Sequence, residues 1–267
     1  MAMDHQHNTQ LSNFLYACYA HKSKAVEEYV PEHALTYIIS GSMVCYTADG
    51  KRIFSDGDIL FIKRNQLAKA IKQPGADGEM KSLTVFFDQA SLRTFYDERI
   101  LPPYTGVAYK QLHADPLYVN YFASLAPYTH LQTNEALAAL KLKELLLLVL
   151  HLNPELKNVL FDFNEPAKID LEEYMNKHFN FNVEIKRFAY LTGRSLATFK
   201  RDFEKTFHTS PSRWLQQRRL QEAYSLIKEK GKKPSDVYLE VGFEDLSHFS
   251  FAFKKTYGVA PSFISAT

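Results

Sequence analysis

The chain has 267 residues, 46% of them hydrophobic and 14% aromatic, a size that suggests two domains with real cores. Its formal net charge of +2 selects no partner, and the longest strictly apolar run, Leu145 to Leu150, falls far short of the ~20 residues a membrane-spanning helix needs. The segment Met1-Ala-Met-Asp-His5-Gln-His7 has no basic stretch leading into an apolar one, and Cys18 and Cys45 have neither metal nor redox spacing, so a reduced, cytoplasmic protein without membrane contact is expected.

From Ala34 to about Asp88 the chain reads as strands. Leu35-Thr-Tyr-Ile-Ile39 is β-branched and aromatic, Gly41-Ser42 is a turn signal, and Met43 to Thr47 leads into Asp49-Gly50, a strong hairpin signal. Arg52-Ile-Phe54, Ile59 to Ile62 and Leu83 to Phe87 follow, separated by Asp56-Gly57-Asp58 and by Pro74 to Gly78. Short strands with turns every 8–12 residues predict a β-sandwich or barrel. Tyr37, Phe54, Phe61 and Phe86 are its large aromatics, expected either to line an effector pocket or to fill the barrel.

From Ser91 the period becomes helical. Ser91 to Ile100 is amphipathic, Pro102-Pro103 interrupts, and Asp115-Pro116 starts a helix through Leu125. Asn134-Glu135 begins the most apolar helix, which ends before Pro154; its Leu145–Leu150 run is apolar all round, so it must be covered on more than one side. Leu142, Leu145, Leu146 and Val149 are therefore expected at a dimer seam, with burial wholly inside the domain as the open alternative. Residues 1–153 are expected to form one regulatory and dimerising domain, and 154–168, with Pro154, Asn158, Asn164 and Pro166, a linker.

Residues 169–267 read as all-helical. Helices are expected at Ile169–Phe179, Val183–Leu191, Ser195–Phe207, Ser210–Lys230, Pro234–Val241 and Asp245–Tyr257, with a short turn from Pro261. This half is basic, with 17 Lys+Arg against 12 Asp+Glu from Lys168 onward; the remainder has 15 against 18.

The third and sixth helices say nearly the same thing. Phe199, Phe203 and Phe207 recur fifty positions on as Phe249, Phe253 and Tyr257; Lys205-Thr206 recurs as Lys255-Thr256, and Pro211-Ser212 as Pro261-Ser262. Aromatics four apart fix a buried stripe, so the opposite side must face outward. On the first copy that side carries Ala197, Lys200, Arg201 and Glu204 or Lys205, with Ser195 capping the helix start; on the second, Leu246, Ser247, Ser250, Phe251, Lys254 and Lys255. Each helix follows a short bracing helix, the arrangement of a helix-turn-helix whose second member enters a major groove. Lys200 and Arg201 suit guanine O6/N7 or phosphate, and Leu246 and Phe251 suit thymine methyl groups. A single lysine or arginine here is more often a solvated charge; the duplication is what favours double-stranded DNA.

The stretch from Ile169 to Ile264 resembles the DNA-binding domain of the AraC family of transcription regulators. The resemblance is carried by Val241-Gly242-Phe243-Glu244-Asp245-Leu-Ser247-His-Phe249-Ser250 with Phe253 to Gly258 and Pro261, by Ala189, Gly193, Ser195, Phe199, Arg201 and Phe203, and by Trp214-Leu215 with Arg219-Leu220 and Ala223. It implies two helix-turn-helix units entering successive major grooves on one face of a duplex, with Leu196, Ala197, Lys200 and Arg201 and Leu246, Ser247, Ser250 and Phe251 facing the bases by position, RNA polymerase as a further partner, no cofactor, and by family habit activation. Three positions depart from the family: Phe251 where arginine is common, Tyr238 where a small residue is usual, and His208 where glycine follows the first reading helix. The N-terminal half is similar to the family's cupin-like regulatory barrel, through Glu32 to Gly41, Asp56 to Ile62, Lys69 to Pro74 and Lys81 to Asp88. It looks most like the branch of type III secretion activators, in which that domain self-associates and can be controlled by a partner protein rather than a sugar; for this chain a small-molecule and a protein effector are both open.

An enzyme is not expected. A cupin metalloenzyme needs a His-x-His pair with a Glu and a further His from adjacent strands. His5 and His7 precede the predicted strands, and His33 is followed by no histidine before His113. A DNA-repair methyltransferase needs a cysteine in a basic setting, whereas Cys18 and Cys45 lie in apolar ones.

Overall fold

The computed structural model describes residues 6–11, 13–21, 23, 26–47, 50–95, 106–125, 127 and 135–264. His5, Asp49 of the expected hairpin, residues 96–100 of the helix expected from Ser91, Pro102-Pro103 and the expected helix start at Asn134 lie outside them. The chain divides into two units, Met1–Phe163 and Asn164–Thr267.

The first unit carries ten strands among the described residues: β1 Gln6–Leu11, β2 Phe14–Tyr19, β3 Val26–Val30, β4 His33–Ser40, β5 Ser42–Thr47, β6 Gly50–Ser55, β7 Ile59–Ile62, β8 Gln66–Gln73, β9 Met80–Phe87 and β10 Tyr109–Leu112. The expected strand region corresponds to β4 through β9; β1, β2, β3 and β10 extend it at both ends. Pairing is antiparallel, in a six-stranded sheet of order β1-β2-β9-β4-β7-β10 and a four-stranded sheet of order β3-β8-β5-β6. The strands therefore form two antiparallel ladders, not one closed ring.

Period-two alternation assigns the layers. In β7, Leu60 joins Ile38, Met43, Cys45, Phe54 and Met80 in an apolar layer contributed by both sheets. Ile59 and Phe61, with Leu35, Leu83, Val85 and Phe87, pack instead against the helices. These are α1 Gln89–Arg93, α2 Pro116–Leu125, α3 Glu135–Leu152 and α4 Lys157–Leu160. The order is thus sheet, sheet, helices.

This layering corrects three expectations. The four barrel aromatics do not line one pocket, because strand alternation sends them to different layers. Phe54 lies between the sheets, Phe61 faces the helices, Tyr37 stacks on Phe122 at 5.1 Å, and Phe86 is half-buried outside both clusters. Leu142, Leu145, Leu146 and Val149 are 0–6% exposed in the unit's own core, so they are spent on folding. The outward apolar residues of α3 are Leu137, Leu140 and Leu147. Finally, the first part of the expected linker is core. Leu156, Val159, Leu160 and Phe161 are buried in the helical layer. The Asp162 carbonyl accepts from Arg64 Nε at 3.3 Å, and the Arg93 guanidinium lies 4.1 Å over the Phe163 ring. The units divide after Phe163.

Buried His33 belongs to this core. Its Nδ1 accepts from the Arg64 backbone N–H at 3.1 Å and its ring stacks on Phe61, while burial, with Arg64 and Lys63 adding to it, pushes its pKa down to about 3. It is neutral at physiological pH and structural.

The second unit has α5 Leu171–His178, α6 Ile185–Leu191, α7 Leu196–Phe207, α8 Pro211–Lys228, α9 Pro234–Glu240, α10 Leu246–Tyr257 and a final 3-10 turn Pro261–Phe263. Each falls within about two residues of its expected bounds, because most of the starts have a chemical signal. Asp170 accepts from Glu173 N–H, Ser195 from Thr198 N–H and Asp245 from His248 N–H, while Pro211 and Pro234 open α8 and α9. No helix of the described residues is long and apolar enough to cross a membrane.

Candidate nucleic-acid interface

The duplicated sequence becomes duplicated geometry. In α7, Phe199 and Phe203 are fully buried and contact each other at 5.5 Å; Phe203 meets Phe207 at 4.4 Å, and Phe207 meets Trp214 at 4.6 Å. In α10, Phe249 and Phe253 are fully buried at 5.6 Å, Phe253 meets Tyr257 at 4.7 Å, and Tyr257 meets Tyr224 at 4.8 Å. Both repeated threonines bond back one turn, Thr206 Oγ1 to Asp202 O at 3.0 Å and Thr256 Oγ1 to Ala252 O at 2.9 Å. Both helices end in a left-handed residue whose N–H closes the last turn: His208 (φ 54°) onto Glu204 O, and Gly258 (φ 78°) onto Lys254 O. Position 208, where the resemblance expects glycine, is held by a histidine that adopts positive φ.

A turn glycine without room for a side chain precedes each helix. A Cβ on Gly193 (φ 66°) would sit 2.3 Å from the Ala167 carbonyl carbon, and one on Gly242 (φ 95°) would sit 2.6 Å from Asn180 O and 3.0 Å from Arg219 Nε. Two arginines lock these turns. Arg194, its side chain 7% exposed, donates Nε to Asp202 Oδ2 at 3.1 Å and Nη1 to Ile169 O and Thr192 O. That hydrogen bond, aided by Lys168, Arg194 and Arg201 charges nearby, holds the Asp202 carboxyl below the usual carboxylate range. Arg219 on α8 is 9% exposed and donates to four oxygens: Phe179 O, Phe181 O, Asn182 Oδ1 and Gly242 O. It ties the segment before α6 to the turn between α9 and α10.

With the aromatics turned inward, the expected reading residues are exposed. Ser195, Leu196, Ala197, Lys200, Arg201 and Lys205 lie open on α7 and its cap; Leu246, Ser247, Phe251, Lys254 and Lys255 lie open on α10, and Ser250 is half-buried. The first helical positions match closely, Leu196 at 42% exposure and Leu246 at 41%. The positions of Arg201 and Phe251, fifty apart in the repeat, do not: one offers a guanidinium 3.7 Å from Asp202, the other a phenyl ring 70% exposed.

Sequence reasoning missed the surface between the two helices. A cavity of about 670 Å³ crosses the N-terminal half of α8, lined among others by Ile185, Ser212, Arg213, Gln216 and His248. A neighbouring one of about 300 Å³ shares Ile185, Ser210 and Ser212 and reaches Lys200 and Glu204 of α7. The only hint of this in the sequence is Arg213 in the first turn of α8, two residues after the helix-opening proline. Among the described residues, no cluster of three or more His, Cys, Asp or Glu side chains is placed to hold a metal ion.

Comparison with known proteins locates this geometry. Residues 188–266 match a helix-turn-helix domain, and residues 33–159 match the ExsA N-terminal regulatory domain. The HTH-type transcriptional regulator ExsA of Pseudomonas aeruginosa is 25% identical over 240 residues, spanning 86% of this chain and 85% of that protein. The virulence regulon transcriptional activator VirF of Yersinia enterocolitica is 28% identical over 92 residues, 34% of each chain. The crystal structure of apo ToxT from Vibrio cholerae aligns over 94% of this chain and 96% of that one, at 13% identity and a TM-score of 0.46.

Proposed function

The chain belongs to the AraC family of transcriptional regulators, as a DNA-binding activator with an N-terminal regulatory domain, and on that premise we propose that α6–α7 and α9–α10 act as two helix-turn-helix units in successive major grooves of one duplex. The observation that carries this reading is the repeated geometry: two helices with the same side-chain N-cap bond, buried aromatics and back-bonded threonines, each leaving the opposite side with its lysines open. Lys200, Arg201, Lys205, Lys254 and Lys255 supply phosphate affinity and guanine readout; Ser195, Ala197, Ser247 and Ser250 are small enough to admit base edges; Leu196 and Leu246 make matching apolar contacts. Arg213 bridges the backbone between the two grooves.

The first unit, with a cupin-like sheet pair, is in this reading the regulatory and self-associating domain, cytoplasmic and answering to a small molecule or a protein. RNA polymerase is the partner through which activation works. The dimer seam we propose is the outer side of α3, where Leu140 (62% exposed) and Leu147 (53%) stand one heptad apart with Leu137 beside them. Selection of bound duplexes from a random library by the purified full chain tests DNA binding and returns the site. Recovery of no enriched sequence would refute the reading. Leu140→Glu should shift the chain from dimer to monomer in a sizing measurement; a dimer that persists would place the seam elsewhere.

A further inference from the structure

The repeat puts different chemistry at one equivalent position, Arg201 on α7 and Phe251 on α10. The Phe251 ring does not serve the core, since Phe249, Phe253 and Tyr257 do the packing of α10 and Phe251 stands 70% exposed. Ser247, one turn before it, is small, and Lys254 and Lys255 follow within about one turn, all exposed. An apolar ring flanked by two cations complements a polyanion that carries an apolar group within its groove. In the major groove of DNA that group is the thymine C5 methyl. A phenyl ring has no donor for a purine edge, so it selects by that methyl.

Resting on the reading of α10 as a groove-entering helix, we propose that Phe251 is a specificity-determining residue that reads a thymine methyl group. Arg201 reads guanine at the equivalent place in the other half-site. Each protomer's site is therefore directional, with guanine at one position and thymine at its counterpart one helical turn away.

The test uses the full chain and the duplex recovered by selection. Each thymine is replaced in turn by deoxyuridine, which removes only the methyl, and affinity is measured by fluorescence anisotropy for the wild type and for Phe251→Ala. One thymine should weaken wild-type binding about fourfold, equivalent to about 0.8 kcal/mol for one buried methyl-sized group. The same replacement should change Phe251→Ala binding by less than about 1.5-fold. Phe251→Arg should move the selected base at that position from thymine to guanine and leave the other half-site unchanged. Equal deoxyuridine effects in both proteins at every thymine would overturn the proposal while leaving DNA binding intact. Failure of the wild type to select any duplex would remove the premise instead. Because Phe251 is exposed, its variants should keep the wild-type Trp214 emission, which separates a lost contact from a lost fold.

Discussion

Replacing Arg219 with methionine should unfold the second unit at much lower denaturant. The guanidinium donates Nε to Phe179 O and Nη2 to Phe181 O, both at 2.8 Å, and Nη1 to Gly242 O at 2.9 Å and to Asn182 Oδ1 at 3.4 Å. Methionine fills most of the stem volume but offers no donor, so three backbone carbonyls lose these partners where water has little access. An unsatisfied buried acceptor costs about 1–3 kcal/mol, and breaking a buried charged network about 3–5 kcal/mol in total. Against a domain stability of roughly 5–15 kcal/mol that is a large share. Trp214, the chain's one tryptophan, packs on Phe203 and Phe207 of α7, so its fluorescence follows this unit and not the other. With a urea slope near ~2 kcal/mol/M, the midpoint of the Trp214 transition should fall by about 2 M. Arg219→Lys should fall about half as far, since an ammonium lacks the planar fork that spans separated carbonyls. A midpoint within about 0.3 M of wild type would mean that those carbonyls are solvated, and that the arginine does not join the two turns.

His208 holds a left-handed conformation that its counterpart in the repeat assigns to Gly258, so His208→Gly should stabilise the second unit by about 0.5–1 kcal/mol; a thermal midpoint equal to or below wild type would contradict this. The His33 pKa, lowered to about 3, makes the unfolded chain bind a proton that the folded first unit excludes. Its contribution is therefore full above the unfolded value near ~6.5, falls with pH between about 6.5 and 3, and removes roughly 2 kcal/mol from pH 7 to pH 5. Denaturation of the first unit followed by circular dichroism should show that slope, and His33→Asn should flatten it; equal slopes in both proteins would rule the effect out. Lys254→Ala should reduce the slope of log affinity against log salt by about 0.9 on any duplex, and an unchanged slope would show that Lys254 touches no phosphate.

What was legible in the sequence follows from how strongly each residue's place is dictated locally. The helices of the second unit could be bounded because their caps are local chemistry: Ser195, Asp245 and Pro211 announce helix starts whatever surrounds them. Aromatics at four-residue spacing likewise marked the buried side of α7 and α10. In the first unit, alternation separates the two faces of a strand but does not say which neighbour each face meets. Alternation therefore allows Phe54 and Phe61 to share one pocket or one filled barrel, although a whole sheet lies between their layers. The Leu145–Leu150 run of α3 is apolar all round, so periodicity cannot tell Leu146, which is core, from Leu147, which is not. Prolines and asparagines point to a linker from residue 154, whereas the helical spacing of Leu156, Val159 and Leu160 carries the chain through the core to Phe163. Arg219 was visible only as a family match; its burial depends on carbonyls some 23 to 40 positions away.

The same difference explains why the two reading helices share a scaffold and not a surface. A change at Phe199 or Phe253 opens a cavity in a fully buried aromatic cluster, at a cost of about 3–5 kcal/mol, so both copies keep an aromatic ring there. A change at an exposed position of a helix usually costs less than about 0.5 kcal/mol. Positions 201 and 251 are both exposed, so the fold constrains neither, and arginine and phenylalanine occupy them at no cost to packing. Stability therefore fixes where the two side chains are presented and leaves open what they are. If the two helices read DNA as proposed, a scaffold duplicated in this way can change one half of its recognition site without disturbing the packing of the other, because the Phe251 ring stands 70% exposed, outside the buried aromatic cluster.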